Sequence, residues 1–259
     1  MSMKVKQARQ AAMEVPGLIS LWEMQEQSGP RESSGPGRYR LREMAGTVGS
    51  AEEGVFGPRA ARFVYGDWLA VPRSECPALD FHGNAAFTLA AWIKRGEEKG
   101  ECQAVAGMWN ETGRSRQYCM FLDLRIWESA NQVCGHVSAE GGPTPGYKYC
   151  MSAAIGATPV TSGRWQLAVF TYDGQNARVY LDGRLDVREG FNPYPYPEGL
   201  HDGGSGGSDF TVGGVDRSGT PGNFYEGLLG GLAVYDRALG DEEIARLYRD
   251  TIPTPLQDA

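Results

Sequence analysis

No apolar run in the chain approaches the roughly 18 consecutive residues of a helix that crosses a bilayer. Positive charge is scarce: 25 Lys and Arg stand against 32 Asp and Glu, a formal net charge of −7. Such a surface repels phosphate backbones and anionic lipids, so neither nucleic acid nor a membrane is expected as a partner. The opening stretch Met1 to Met13 carries Lys4, Lys6 and Arg9 but lacks the continuous apolar segment of a secretory leader. A cytoplasmic location is therefore the default expectation. Cysteines number only five, with no Cys-x-x-Cys pair and no Cys/His spacing typical of zinc. Cys134 and Cys150 flank the turn-rich Gly141 to Gly146, an arrangement open to a disulfide in an oxidising compartment, while the odd count favours buried free thiols.

What the chain has in plenty is punctuation. Its 36 Gly and 15 Pro among 259 residues suit many short strands joined by turns, and a hydrophobic fraction of 41% supplies a core. Strand-like runs recur at Leu18 to Trp22, Ala61 to Val71, Phe87 to Ile93, Ala104 to Trp109, Tyr118 to Leu124 and Val133 to Ser138. They continue at Tyr147 to Ala153, Trp165 to Tyr172, Ala177 to Leu181, Phe210 to Val215 and Leu228 to Tyr235, a spacing that predicts a sandwich. Asp173-Gly174 and Asp182-Gly183 read as tight turns, because their glycines supply left-handed backbone. The polar stretch Gln25 to Gly57 reads as loop. Short helices are expected before Pro16 and over Asp241 to Tyr248, the latter with acids in its first turn. The organisation expected is a helical extension over 1–16, one domain over 17–251 and a tail over 252–259.

A set of ordered motifs then carries a family resemblance. Gly17-Leu18-Ile19-Ser20-Leu21-Trp22, Ala61-Arg62-Phe63 and Phe87-Thr88-Leu89-Ala90-Ala91-Trp92-Ile93 are followed by Gly163-Arg164-Trp165-Gln166-Leu167-Ala168 and Tyr172-Asp173-Gly174. Val179-Tyr180-Leu181-Asp182-Gly183 and Val234-Tyr235-Asp236-Arg237-Ala238-Leu239 with Glu243-Ile244 complete the set. In order and spacing this succession resembles the laminin G-like branch of the concanavalin A-like lectin/glucanase superfamily. The resemblance implies an all-β jelly-roll sandwich of two antiparallel sheets, one curved into a concave groove where relatives commonly hold carbohydrate. It implies no single activity, since the fold hosts lectins, adhesion modules, hydrolases and lyases. Two departures stand out. Leu229-Gly230-Gly231-Leu232 occupies the place where relatives carry an acid that helps bind a structural calcium, which puts that ion in doubt. Gly240 stands where a Ser cap is usual.

Retaining glucanases of the superfamily place carboxylates at alternate positions of one strand, which keeps them on one face about 5 Å apart. No strand here has that pattern. Glu52-Glu53 and Glu97-Glu98 are adjacent, so on a strand they would point to opposite faces. No Gly-x-Ser-x-Gly elbow supports a serine nucleophile. In the family register Tyr118, Met120 and Leu122 face the core with Val133 and Val137, which turns Cys119, Phe121, Asp123, Cys134, His136 and Ser138 toward the groove. His136, with Asp123 beside it on the neighbouring strand to orient the imidazole, is thus the acid/base candidate. A His that merely hydrogen-bonds across the sheet or touches a ligand is the alternative.

Jelly-roll lyases use a His or Tyr base with an Arg or Gln that neutralises a uronate carboxylate, and Arg116, Gln117, Tyr118, Arg125 and Tyr149 are residues of those types. The long segment Gly190 to Asp209 exceeds what a hairpin needs, and its Tyr194 and Tyr196 are candidates to stack on sugar rings, beside Asn192, His201 and Asp202. Trp109, Trp127 and Arg217 fall with Asn110, Arg114, Asp216 and Asn223 at strand ends on what reads as the groove's rim, and Phe121 lies within it. Trp22, Trp92 and Trp165 read as core. The expectation is a lectin-like protein that binds an oligosaccharide or polysaccharide, with no metal site or cofactor. Its alternatives are a carbohydrate-active enzyme using His136 and an adhesion or protein-interaction module.

Overall fold

Side chains alternate between faces every two residues along a strand, and this period sorts the chain into two antiparallel sheets. The structure, a computed structural model, describes residues 3–217 and 219–252. In the first sheet Phe87–Arg95 lies between Gly227–Tyr235 and Trp165–Tyr172. Leu18–Trp22 and Ala60–Phe63 pair beyond the former, and Asn176–Leu181 beyond the latter. The second sheet runs Arg40–Glu43, Leu69–Val71, Phe210–Val212, Gln103–Asn110, Ser115–Leu122, Gln132–Val137, Ala153–Pro159. The chain crosses repeatedly from one sheet to the other, as in a jelly roll.

Three apolar layers follow from this arrangement. Between the sheets, Leu89, Ile93, Phe170 and Val234 meet Met108, Tyr118, Met120, Leu122, Val133 and Val137. Gly135 belongs to this layer because a Cβ there would come within 2.2 Å of the Phe170 ring, so only glycine lets that ring reach the strand. On the outer face of the first sheet, Trp92, Leu167, Val169 and Tyr180 are covered by α1 (Met3–Met13) through Ala8 and Ala12 and by α2 (Asp241–Thr251) through Ile244 and Leu247. The Tyr235 hydroxyl donates to the Ala12 carbonyl at 3.2 Å, and Arg9 pairs with Glu23 at 2.9 Å, so α1 packs as part of the sandwich. On the outer face of the second sheet lie Trp109, Cys119, Phe121, Cys134 and Ile155.

Several sequence expectations are corrected. The stretch Gln25 to Gly57 holds three short strands, Arg31–Ser34, Arg40–Glu43 and Gly49–Ala51, masked by their charged residues. The buried Arg31 guanidinium bonds to the carbonyls of Val48 and Gly29, which secures this edge without apolar pattern. Ala61 to Val71 is two strands in different sheets, separated by a turn in which Gly66 has φ +94°. Tyr147 to Ser152 is not strand, which begins at Ala153. Trp165 is only half-buried, and its indole N–H donates to Glu53 at 3.0 Å. At the start of α2, Glu243 accepts from the Gly240 N–H at 3.0 Å, supplying half of a capping box although glycine offers no side chain. Beyond Ile252, the expected tail lies outside the described residues.

Candidate binding pocket

The pocket is created by an irregularity. Met108 pairs with Tyr118 but Trp109 pairs with Arg116, so Gln117 is an extra residue on its strand. Such a bulge changes the facing of what precedes it. Tyr118 therefore faces the core while Arg116 and Trp109 both face outward, the guanidinium carbon lying 5.9 Å from the indole centroid. Next to Trp109, across the sheet, stands His136, with ring centroids 5.0 Å apart, and Phe121 meets His136 edge-on at 5.4 Å. These rings, with Glu111, Tyr149, Arg217 and Asn223, line a cavity of about 200 Å³ whose remaining wall includes Cys102, Cys150, Leu124, Arg125 and Ile126.

His136 is 4% exposed. Its Nδ1 lies 2.9 Å from the Ser152 carbonyl, and a carbonyl only accepts, so Nδ1 carries the proton and Nε2 the lone pair. Among the described residues Nε2 has no hydrogen-bond partner. Burial lowers the imidazole pKa to about 4, the Arg116 charge adding to the effect and the Ser152 bond opposing it. The ring is a neutral acceptor at ordinary pH. The thiols around it are inert for a related reason: burial pushes Cys134 up to about 12 and raises Cys102, Cys119 and Cys150 as well. All five cysteines are free, and Cys134 stands opposite Ile155, not Cys150.

Glu111 organises the polar side. It pairs with Arg116 at 3.5 Å and Arg217 at 3.8 Å, and accepts from the Trp109 indole at 3.4 Å. Arg217 also sits 5.4 Å from the Tyr149 ring centroid, and Lys148 lies over the same ring at 5.1 Å. These two cations hold the exposed Tyr149 hydroxyl below its usual pKa.

The structure brings His136, Trp109, Phe121, Tyr149 and Arg217 to this cavity, with Arg116 just behind Trp109. It does not bring Asp123. His136 pairs with Cys119, and Asp123 follows the other end of that strand, about 14 Å away at ~3.4 Å per residue. There the backbone turns left-handed (φ +56°), and the carboxylate is buried against Arg95 at 3.1 Å and Arg125 at 3.0 Å. The expected His136–Asp123 pair is thus replaced by an imidazole–carbonyl bond and a separate ion pair.

Nor does the long segment after Gly190 supply the pocket. Tyr194 and Tyr196 stack on each other at 6.3 Å and pack against the inter-sheet core. The Tyr196 hydroxyl accepts from the Ala139 N–H at 2.8 Å, and burial pushes its pKa up to about 12. Asn192 is 1% exposed and spends its amide on Val179 and on the Asp186 carbonyl. Its role is structural: Asn192→Ala is expected to cost about 2 kcal/mol by orphaning those buried groups, readable as a lower urea midpoint with affinity unchanged.

His201 donates its backbone N–H to Ser138 at 2.6 Å, and its ring lies against Gly141. Asp202 accepts from Gly204 and, with Asp80 and His82, forms a group whose ligating atoms lie within 4.8 Å of one another. The Arg73 guanidinium pairs with Asp80 and stands 4.0 Å from Asp202, where a cation would have to compete with it. Trp127 does not line the cavity: it is 40% exposed, its indole donates to the Met151 carbonyl, and Tyr147 meets it edge-on at 5.9 Å. The main residue missed from sequence is Glu111. Its signal was available: a carboxylate in the turn joining two predicted groove strands, two residues beyond Trp109.

Comparison with known proteins agrees with this architecture. A laminin G profile of the concanavalin A-like lectin/glucanases superfamily matches residues 66–245, and the chain belongs to that family. No curated protein sequence matches it. Among solved structures, it is similar to domain 4 of an extracellular arabinanase from Geobacillus stearothermophilus, solved in complex with arabinotriose. The TM-score is 0.60 at 16% identity, covering 89% of this chain and 98% of that one. A Trypanosoma rangeli sialidase in complex with the inhibitor DANA gives 0.62 at 15% identity over 96% of this chain, which spans 38% of the sialidase. The binding domain of botulinum neurotoxin DC, in complex with rat synaptotagmin II, gives 0.53 at 9% identity, over 90% of this chain and 51% of that one. At these identities the likeness is one of fold.

Proposed function

We propose that the protein binds a carbohydrate in the outer-face pocket without catalysing its breakdown. One observation carries the reading: aromatic walls from Trp109, Phe121 and Tyr149 enclose fixed hydrogen-bonding groups, the His136 Nε2 acceptor, Glu111, Arg217 and Asn223. A sugar ring presents the matching chemistry, apolar C–H faces bounded by hydroxyls. At about 200 Å³ the cavity is smaller than the roughly 300–1,000 Å³ of drug-sized sites and suits a single ring. The complex of the arabinanase domain with arabinotriose supports the ligand class.

Binding is favoured over catalysis because an imidazole with a pKa of about 4 is a weak base, and a backbone carbonyl, not a carboxylate, faces its Nδ1. A glycan array followed by calorimetry tests the proposal. Tyr149→Ala should weaken a hit by about 1 kcal/mol, roughly fivefold, while leaving the melting temperature unchanged. An array without a single sugar hit sinks the reading. The enzyme alternative would show itself as unsaturated uronate absorbance released from acidic polysaccharides by wild type and lost in His136→Ala.

A further inference from the structure

The inner cavity is not closed on itself. Arg125, Arg217 and Asn223 line both it and a wider depression of about 570 Å³ that extends past Glu101 and Pro221 to Tyr65. Tyr65 is 68% exposed, and Phe224 supports it edge-on at 5.1 Å, so its ring stands as a platform at the far end of one continuous groove.

The carboxylates that hold the groove's guanidiniums are shared. Asp123 is shared by two guanidiniums, Arg95 at 3.1 Å and Arg125 at 3.0 Å. Glu111 is likewise shared, by Arg116 at 3.5 Å and Arg217 at 3.8 Å. Neither Arg125 nor Arg217 therefore has a carboxylate to itself, while Arg95 and Arg116 line neither depression. Glu101 is the one further carboxylate lining either depression among the described residues. The lining itself carries two guanidiniums, Arg125 and Arg217, and two carboxylates, Glu111 and Glu101. Its two accessible guanidiniums, Arg125 and Arg217, are 48% and 39% exposed and stand where the two depressions join.

We propose that the groove accommodates a carboxylate-bearing oligosaccharide, a chain containing uronate units. One ring fills the inner cavity, its carboxylate meets Arg125 and Arg217 at the junction, and the next ring stacks on Tyr65. A guanidinium is suited to this because its planar fork matches a carboxylate. The inference rests on the carbohydrate reading above and adds to it both the ligand's charge and its length.

The experiment is calorimetry on the intact chain at low salt with oligogalacturonides and oligomannuronates of one to four units, beside galactan and mannan oligomers of the same lengths. The acidic series should bind about tenfold more tightly than the neutral one, and the trimer about tenfold more tightly than the monomer. Tyr65→Ala should erase the gain with length and spare the monomer. Arg125→Gln should erase the preference for acid, with the fold preserved because Asp123 keeps Arg95. Equal affinity for acidic and neutral sugars, a trimer no tighter than its monomer, or no binding by either acidic series each overturns the inference. Neutral binding that weakens about fivefold in Tyr149→Ala would leave the carbohydrate reading standing while this one falls.

Discussion

Asp123→Ala is expected to lower folding stability by about 3–5 kcal/mol, the usual cost of leaving one member of a buried ion pair alone. Arg95 and Asp123 are both fully buried, and the pair joins a strand of the first sheet to the end of a strand of the second. Without the carboxylate, Arg95 would keep only the side-chain carbonyls of Gln103 and Asn131. The turn from Asp123 to Asn131 would also loosen, since Asp123 accepts the Asn131 N–H and holds Arg125. That turn contains five non-glycine residues with positive φ, Asp123, Arg125, Trp127, Glu128 and Asn131, a conformation that persists only under such restraint. A drop in melting temperature of roughly 10 °C is anticipated for a domain of this size. Replacing both partners with apolar residues should cost less than the single change, because no bare charge remains inside. A single variant that melts within about 2 °C of wild type would show that the pair does not hold the sheets.

The second large effect is acid sensitivity through His136. In the folded protein its pKa is lowered to about 4, chiefly by burial, whereas an unfolded chain restores the ordinary value near 6.5. Between those limits the unfolded state binds a proton that the folded state refuses, so stability falls as pH drops through 6.5 and the loss is complete near pH 4. The gap corresponds to about 3 kcal/mol. Urea melts at pH 7 and pH 4 should show this loss in wild type. His136→Asn, whose amide can donate to Ser152 without titrating, should lack that part of the pH dependence. Parallel pH profiles for the two proteins would remove His136 as the source.

The two-residue period made the facing of the central strands legible. From it follow Tyr118, Met120, Leu122, Val133 and Val137 inside and Cys119, Phe121, Cys134 and His136 outside, as found. The period fails where the strand does. Gln117 as an extra residue reverses the facing of Arg116, and no residue type announces that bulge. Asp123, one step past Leu122, obeys a turn instead of a pleat, so extending the alternation by one position carried it to the wrong partner. The aromatic residues of the segment after Gly190 misled for another reason: composition alone does not distinguish a tyrosine offered to a ligand from one that seals a core. Tyr194 and Tyr196 are the latter. Glu111 escaped notice because its significance lies in Arg116 and Arg217, which meet only in three dimensions.

The two helices lie over the outer face of the first sheet, and the groove opens on the outer face of the second, with the inter-sheet core between them. An attachment at the solvent-facing positions of α2, such as Arg249 or Glu242, would therefore point the pocket side away from a support. Immobilised in that orientation, the molecule leaves its whole groove open to long polymers that a randomly coupled one would partly shield.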